Sequence, residues 1–166
     1  NRCGVALANA GARIQARCMI RLSVPNLTGK EAEYVAQAIS RDELAIGCFI
    51  ERFERMVAKA TGRDWCVAVS SGTAALHLAL LASGVKAGGF ISVPSYTFAA
   101  TAAAIRYCGA VPRFVDVSRE TWTAPLAFVP VETAGIPVNC GAVIDAAASI
   151  GRGKIGGELV CLSFNG

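Results

Sequence analysis

Short apolar runs and helix-like stretches alternate through the middle of this 166-residue chain. Apolar runs typical of buried strands are WCVAVS at residues 65–70, FISVP at 90–94 and VPRFVDV at 111–117. Helical patterns separate them in TAALHLALLASG and AATAAAIRYCGA, and two more precede them in TGKEAEYVAQAIS and FIERFERMVAKATG. Strands that alternate with helices form parallel sheets through βαβ units. The alternation therefore predicts an α/β fold with a mostly parallel sheet.

Two residue patterns predict where helices begin and end. Thr28 followed by Glu31 has the spacing of a capping box, which places the start of the first helix at Thr28. Gly62 follows the second helical pattern and predicts its end.

The alternation stops in the second half of the chain. The runs LAFVPV (Leu126 to Val131) and AVIDA (Ala142 to Ala146) look like buried strands, but the residues before each of them are too few for a crossover helix. The second connection also carries Gly135, Pro137 and Gly141, which oppose a helix. The strand–helix alternation of the first half predicts two further helices, and the second half has no residues for them. Either the topology changes there, or the chain is an incomplete copy of a longer protein.

Composition excludes several classes of protein. The hydrophobic fraction of 54% suits a sheet covered on both faces, and the net charge of +4 is scattered without a basic block, so no nucleic-acid partner is predicted. No apolar stretch is long enough for a bilayer, so no membrane partner is predicted either. Seven cysteines without metal-ligand spacing indicate reduced thiols in the cytoplasm. The single histidine, His77, lies in an apolar helical run, and no metal site is predicted.

Residues 1–18 differ from the remainder of the chain. They are rich in Ala and Arg, contain no acidic residue and have no hydrophobic periodicity. A transit peptide has such a composition, but the absence of periodicity favours a disordered extension or upstream translation. Met19 then opens the patterned region. We therefore expect one partial domain over residues 19–166, with the natural start at Met19.

The first candidate site is the turn between the run at 65–70 and the next helix. In VAVSSGTAALHLAL the residues Ser71, Gly72, Thr73 and Ala74 open that helix. A helix N-terminus offers free N–H groups and the positive end of the helix dipole, so it binds phosphate. The alternative is a plain Ser/Thr cap on a βα turn.

The second candidate site consists of residues that follow two other strands. Asp145 ends the run AVIDA, at the carboxyl end of a strand, where ligands of open α/β sheets bind. Its carboxylate could hold a ring nitrogen in its protonated form. Phe98 follows FISVP and could stack on a planar cofactor. The alternatives are an Asp that caps a turn and an aromatic residue that belongs to the core.

One glycine motif has the spacing of a nucleotide-binding loop but not its structural context. GRGKIGG places Gly151, Gly153 and Gly156 at the spacing of a dinucleotide-binding motif, but an apolar strand follows instead of a helix. A module that binds NAD or ATP is therefore the weaker alternative.

Taken in order, the motifs resemble the DegT/DnrJ/StrS-type family of nucleotide-sugar aminotransferases, pyridoxal 5'-phosphate (PLP) enzymes of fold type I. The resemblance runs from MIRLSVPNLTGKE through GCFIERFE, SSGTAALHLALLASGVKAG, VPSYTFAATAAAIRYCGAVPRFVDV and VIDAA to CLSFNG. It implies a three-layer α/β/α large domain, a homodimer, a nucleotide-sugar substrate and an amino donor such as glutamate. It also implies a role in surface polysaccharide or amino-sugar biosynthesis.

The resemblance implies a role for each matching residue. Gly72, Thr73 and Ala74, next to Ser71, would hold the PLP phosphate, and Ser163 would add a hydroxyl. Phe98 would stack on the pyridine ring, and Asp145 would bond its nitrogen.

The sequence departs from the family pattern near its end. The Schiff-base lysine of the family follows shortly after SFNG, whereas this sequence stops at Gly166, and neither Lys86 nor Lys154 matches it. Ala148 stands where many members have Gln or His. The 166 residues alone are therefore expected to be inactive. The alternative to an enzyme is a truncated remnant that binds a phosphate ligand or dimerises.

Overall fold

The computed structural model describes residue 27 and residues 29–124, 126–138 and 141–164. Within these ranges the elements follow in the order α1 (Glu31–Ser40), α2 (Cys48–Thr61), α3 (Gly72–Ala82), β1 (Phe90–Pro94), α4 (Ala99–Tyr107), β2 (Val111–Val115), β3 (Val143–Asp145) and β4 (Leu159–Cys161). A short 3-10 turn at Thr133–Gly135 precedes β3. The four helices and the strands at 90–94, 111–117 and 142–146 are thus confirmed.

The strands pair in parallel, as the alternation predicts. β1 pairs with β2, and β3 pairs with β4. Residues 128–132 join the two pairs, because the Val129 N–H donates to the Ser92 carbonyl of β1 at 3.1 Å and the Asp145 N–H of β3 donates to the Pro130 carbonyl at 3.0 Å. The spatial order is therefore β2, β1, residues 128–132, β3 and β4. The α/β class with a parallel sheet is confirmed.

The run Leu126 to Val131 forms only part of the strand expected there. Val131 makes a parallel bridge to Asp145, and Val129 is fully buried, but Leu126 is 95% exposed. Pro130 supplies no N–H, so a continuous ladder cannot form through this residue. The segment therefore joins its neighbours through a few hydrogen bonds instead of as a regular strand.

The prediction of a buried strand at residues 65–70 is wrong. These residues belong to no strand, and the side chains of Trp65 and Val67 are 88% and 76% exposed. The Ala68 N–H donates to the Glu54 carboxylate at 2.7 Å instead of to a neighbouring strand. Apolar character predicts a strand only where a partner edge is present, and no strand of the described residues pairs with this segment.

Of the two predicted helix ends, one is confirmed. Gly62 caps α2 in the left-handed conformation with φ 67°, which glycine adopts without strain. The N-cap of α1 is Lys30, so the prediction of an N-cap at Thr28 is wrong, and Thr28 itself lies outside the described residues. In a capping box the Glu31 carboxylate would accept from the N–H of the N-cap residue. Here it accepts from the Gly29 N–H at 2.8 Å, one residue before the N-cap Lys30.

The two crossovers of the second half contain no α-helix in their described residues, as the sequence predicts. The strands nevertheless remain parallel. Extended chain and the 3-10 turn make the connections where helices are expected. The missing helices therefore alter how the sheet is covered, but the strands of the second half still run parallel.

The core lies between the sheet and the helices α3 and α4. Leu80 and Ile105 are fully buried against Val93 of β1 and Val143 of β3. A smaller cluster forms around Ile144 and Ile155. None of the described helices is long and apolar enough to cross a membrane. The expected extension at residues 1–18 lies outside the described residues.

Candidate active site

The predicted site residues lie at one edge of the sheet. Because β1, β3 and β4 are parallel members of one arrangement, their carboxyl ends meet at the same edge. Phe98 follows β1, Asp145 ends β3, and Ser163 follows β4 by two residues. The N-terminus of α3 reaches the same edge, because Gly72 contacts Ser163.

The start of α3 forms a tight cradle with the end of β4. A Cβ atom placed on Gly72 would lie 3.0 Å from the Cβ and 3.3 Å from the Oγ of Ser163. Glycine is therefore the residue that lets the helix start approach the serine this closely. The hydroxyl of Ser71 caps the helix by accepting from the Ala74 N–H at 3.2 Å. The N–H groups of Gly72 and Thr73 have no partner within their own helix, since they are its first residues.

Asp145 is buried and held by neutral hydrogen-bond donors. Its Oδ2 accepts from the Thr101 hydroxyl at 2.7 Å, and its Oδ1 accepts from the Ala147 N–H at 3.2 Å. Burial raises the pKa of Asp145 above its ordinary value, while the bonds from Thr101 and Ala147 lower it. The net direction is upward, because burial disfavours the charged carboxylate more than the two hydrogen bonds stabilise it.

A cleft of about 330 Å³ opens above Asp145. Phe98 and Asp145 both line it, and the Phe98 side chain is 81% exposed, so its ring is accessible from the cleft. The cleft also includes Ala148, the position where many family members have a larger side chain. Ser71, Gly72, Thr73, Ala74 and Ser163 form a second group at the same edge.

Two polar residues of this site, Thr101 and Glu132, were not predicted from the sequence. Thr101 is fully buried in α4, and its hydroxyl also bonds the hydroxyl of Thr97 at 2.7 Å. Its signal was a single polar side chain within the run AATAAAI. Glu132 is buried in the wall of the cleft and pairs with Arg152 at 3.1 Å. The sequence pattern that could have identified Glu132 is an acidic residue directly after the apolar run LAFVPV, similar to the pattern that identified Asp145.

Other candidate groups do not line the cleft. The described residues contain no cluster of side chains that could hold a metal ion. Burial, and then the charge of Asp145, raise the pKa of Cys161 to about 12, so this thiol stays protonated. Lys154 packs beside Gly62 at the end of α2, and Lys86 lies in the turn before β1, so neither lines the cleft. Of the remaining predicted thiols, Cys3, Cys18 and Cys140 lie outside the described residues.

Fold and site together define an α/β protein with a parallel sheet that presents a helix N-terminus and a buried carboxylate at one edge. Its sequence matches the DegT/DnrJ/EryC1/StrS aminotransferase family over residues 25–139. The chain belongs to this family, as the resemblance predicts. Members of the family depend on pyridoxal phosphate.

Relatives and solved structures agree with this assignment. The GDP-perosamine synthase of Escherichia coli O157:H7 is 44% identical over 99 residues, which are 59% of this chain and 27% of that protein. That of Caulobacter vibrioides is 38% identical over 109 residues, 65% of this chain and 29% of that protein. The crystal structure of 3-amino-5-hydroxybenzoic acid synthase superposes with a TM-score of 0.75 at 29% identity, covering 86% of this chain and 46% of that one. The chain thus spans less than a third of the length of these two curated relatives.

Proposed function

We propose that these residues form the cofactor-binding part of a PLP-dependent aminotransferase that converts a keto group of a nucleotide-linked sugar to an amine. The observation that carries this proposal is the contact between Gly72 and Ser163 at the edge of the sheet where Asp145 is buried. The name of the two relatives, GDP-perosamine synthase, supports a nucleotide-sugar substrate.

The start of α3 fits the phosphate of the cofactor. Gly72 and Thr73 would donate their N–H groups, and Ser163 would donate its hydroxyl from the facing loop. The Ala74 N–H already donates to Ser71, so a phosphate would compete with this cap for it. The absence of a side chain at Gly72 keeps the space between helix and serine open for the anion.

Asp145 fits the ring nitrogen. Its two hydrogen bonds come from Thr101 and Ala147, and each carboxylate oxygen can accept a further bond. A protonated ring nitrogen would stabilise the charged carboxylate that burial otherwise disfavours. Asp145 would thereby hold the proton on the nitrogen, and the exposed Phe98 ring would cover the cofactor from the cleft.

When bound, the cofactor supplies the electron sink for amino transfer. The residues of this chain would anchor its phosphate, fix the plane of its ring and keep its nitrogen protonated. Glutamate as amino donor, a homodimeric assembly and a cytoplasmic location belong to the same proposal, as does a role in surface polysaccharide or amino-sugar biosynthesis. Each of these comes from the family resemblance.

The test is a titration of the purified chain with PLP, followed by cofactor absorbance, with unphosphorylated pyridoxal as the matched ligand. We expect saturable binding of PLP that Gly72→Ala weakens about tenfold, because the new methyl group would crowd Ser163 and narrow the phosphate cradle. Binding of pyridoxal should change little, since it carries no phosphate.

Ser163→Gly provides the control for this explanation. In that background the added methyl group no longer meets a Cβ atom, so Gly72→Ala should weaken PLP binding less than it does beside the serine. A chain that is folded by circular dichroism but binds no PLP would contradict the proposed function. An equal loss of PLP and pyridoxal would contradict the role of the cradle.

A further inference from the structure

Helix α2 contacts the chain on both sides of the proposed phosphate cradle. One side of the cradle is the start of α3 at Ser71 and Gly72, which residues 65–70 precede along the chain. The other side is Ser163, which follows β4. Because the two sides belong to separate parts of the chain, contacts outside the cradle have to set their separation.

Glu54 of α2 holds the first side. Its Oε1 accepts from the Ala68 N–H at 2.7 Å, and Ala68 lies three residues before Ser71. Among the described residues, this is the only hydrogen bond made by the backbone of residues 65–70, which pair with no described strand. A hydrogen bond to a charged acceptor is stronger than one between neutral groups. Glu54 therefore supplies the anchor that a neighbouring strand would otherwise provide, just before α3 begins.

Phe53, the neighbouring residue of α2, holds the second side. Its ring centre lies 5.0 Å from that of Phe164, in an edge-to-face arrangement with an interplanar angle of 69°. Aromatic pairs of this geometry are favourable beyond the apolar area that they bury. Phe164 directly follows Ser163, so the packing of the two rings restrains the backbone at the serine.

The C-terminal end of α2 fixes the loop before β4. The Ile155 N–H donates to the Thr61 carbonyl at 3.4 Å, and the guanidinium of Arg63 donates to the four carbonyls of residues 155–158. These bonds anchor the chain before β4, as the aromatic pair does after it. The strand that leads to Ser163 is thus tied to α2 and its C-terminal flank on both sides.

The cradle is narrow enough to depend on these contacts. A Cβ atom on Gly72 would already lie 3.0 Å from the Cβ of Ser163, so a small displacement of either side changes the space for an anion. We propose that α2 sets the width of the phosphate cradle, with Glu54 and Phe53 as positioning residues that act through the backbone segments they contact. The inference rests on the proposed function, because it assigns to α2 the support of the proposed phosphate site.

The experiment compares the affinities for PLP and for pyridoxal in two variants of Glu54. Glu54→Met removes the acceptor, and we expect PLP binding to weaken about tenfold while pyridoxal binding changes less than about twofold. Glu54→Gln keeps a side-chain oxygen that can accept from the Ala68 N–H, so PLP affinity should stay within about threefold of the parent chain. Removal of a carboxylate charge near an anion site would by itself strengthen phosphate binding. A loss in Glu54→Met therefore reports the hydrogen bond and not the charge.

Glu51→Met is the matched control. Glu51 lies on the same helix and carries the same charge, but its carboxylate pairs with Arg55 on the exposed face. We expect this variant to bind PLP as tightly as the parent chain does. Circular dichroism and pyridoxal binding establish that each variant is folded.

Phe53→Leu tests the second contact and keeps an apolar side chain, so it decides the inference even if Glu54→Met does not fold. It should weaken PLP binding about threefold, because the restraint on the serine is lost. In the Ser163→Ala background it should have little further effect, since the hydroxyl that it positions is absent. Glu54→Met should keep its full effect in that background, because it acts on the side of Gly72.

The outcomes separate this inference from the proposed function. The inference stands if Glu54→Met and Phe53→Leu lose affinity for PLP selectively and Glu54→Gln does not. If the parent chain binds PLP and the ratio of PLP to pyridoxal affinity is the same in Glu54→Met, Phe53→Leu and Glu51→Met, the inference is overturned and the proposed function is not. Tighter PLP binding by Glu54→Met would also overturn it. A folded parent chain that binds no PLP would overturn both.

Discussion

Two carboxylates, Asp145 and Glu132, are buried at the same edge of the sheet, and different partners stabilise them. Asp145 accepts from the neutral donors Thr101 and Ala147. Glu132 pairs with the cation Arg152 and also accepts from the Val138 N–H at 3.3 Å. Within the described residues Asp145 makes no ion pair, which suits a residue that is to bind a charged ring nitrogen, whereas Glu132 already has a cationic partner.

Asp145→Asn should reveal the cost of the buried carboxylate. The folded-state pKa of Asp145 is raised above its ordinary value of 3.8. Protonated Asp145 thus favours the folded state, a contribution that is present below the ordinary pKa and lost as pH rises through the raised pKa. The free energy of unfolding of Asp145→Asn, relative to the parent chain, should therefore increase between about pH 3 and about pH 7 in urea denaturation.

Thr101→Val is the companion variant for this measurement. It removes a hydrogen bond that lowers the pKa of Asp145, so the pH window in which stability is lost should move upward. A relative free energy of unfolding for Asp145→Asn that is independent of pH would contradict the raised pKa.

At the scale of elements, two arginine side chains stabilise the connections around β3 that contain no α-helix, mainly by donating to backbone carbonyls. Arg152 bridges the loop after β3 to the 3-10 turn, because its guanidinium contacts Glu132 and donates to the Gly135 carbonyl at 3.1 Å. Arg63, after α2, donates to the carbonyls of residues 155–158 in the loop before β4. Arg63 and Arg152 thus fix loop segments whose backbone lacks the regular hydrogen bonds of a helix.

Arg152→Met should destabilise the chain by about 3 kcal/mol, because it leaves the buried Glu132 carboxylate without its cation. The double variant Arg152→Met with Glu132→Gln should recover part of this loss, since the unpaired charge is gone. Both free energies of unfolding can be measured by urea denaturation.

The matched control for this ion pair is Arg55→Met. Arg55 pairs with Glu51 at 3.8 Å on the exposed face of α2, where ion pairs contribute little. We expect a change of less than about 0.5 kcal/mol there. An equal effect of the two arginine substitutions would show that burial of Glu132 is not the cause.

At the scale of the whole molecule, much apolar surface remains uncovered. Phe90 and Phe114 on the paired strands β1 and β2 are exposed, as are Trp65 and Val67 in the segment that pairs with no described strand. A parallel sheet normally has helices on both faces, so strand faces are exposed where covering helices are missing. Apolar patches of this kind favour association between molecules.

Trp65→Gln with Val67→Thr should reduce self-association of the chain, measured by light scattering as a function of protein concentration. Both side chains are largely exposed, so their replacement should leave the free energy of unfolding nearly unchanged. Met56→Gln on α2 is the control, since it removes one exposed apolar side chain of a separate helix. Association that is unaffected by the double variant but reduced by the control would contradict this assignment.

Local sequence patterns were enough to predict the four helices, the four strands and the parallel direction of the sheet. Apolar periodicity and residues at strand ends are local signals, so the sequence also placed Gly72 at a helix start and Asp145 at a strand end. The folded chain was needed to show that residues 65–70 pair with no strand of the described part, since a strand needs a partner edge that a local pattern does not encode. It likewise decided that Thr101 holds Asp145 and that Arg152 holds Glu132. Those contacts join residues 44 and 20 positions apart, and packing of the whole chain brings them together.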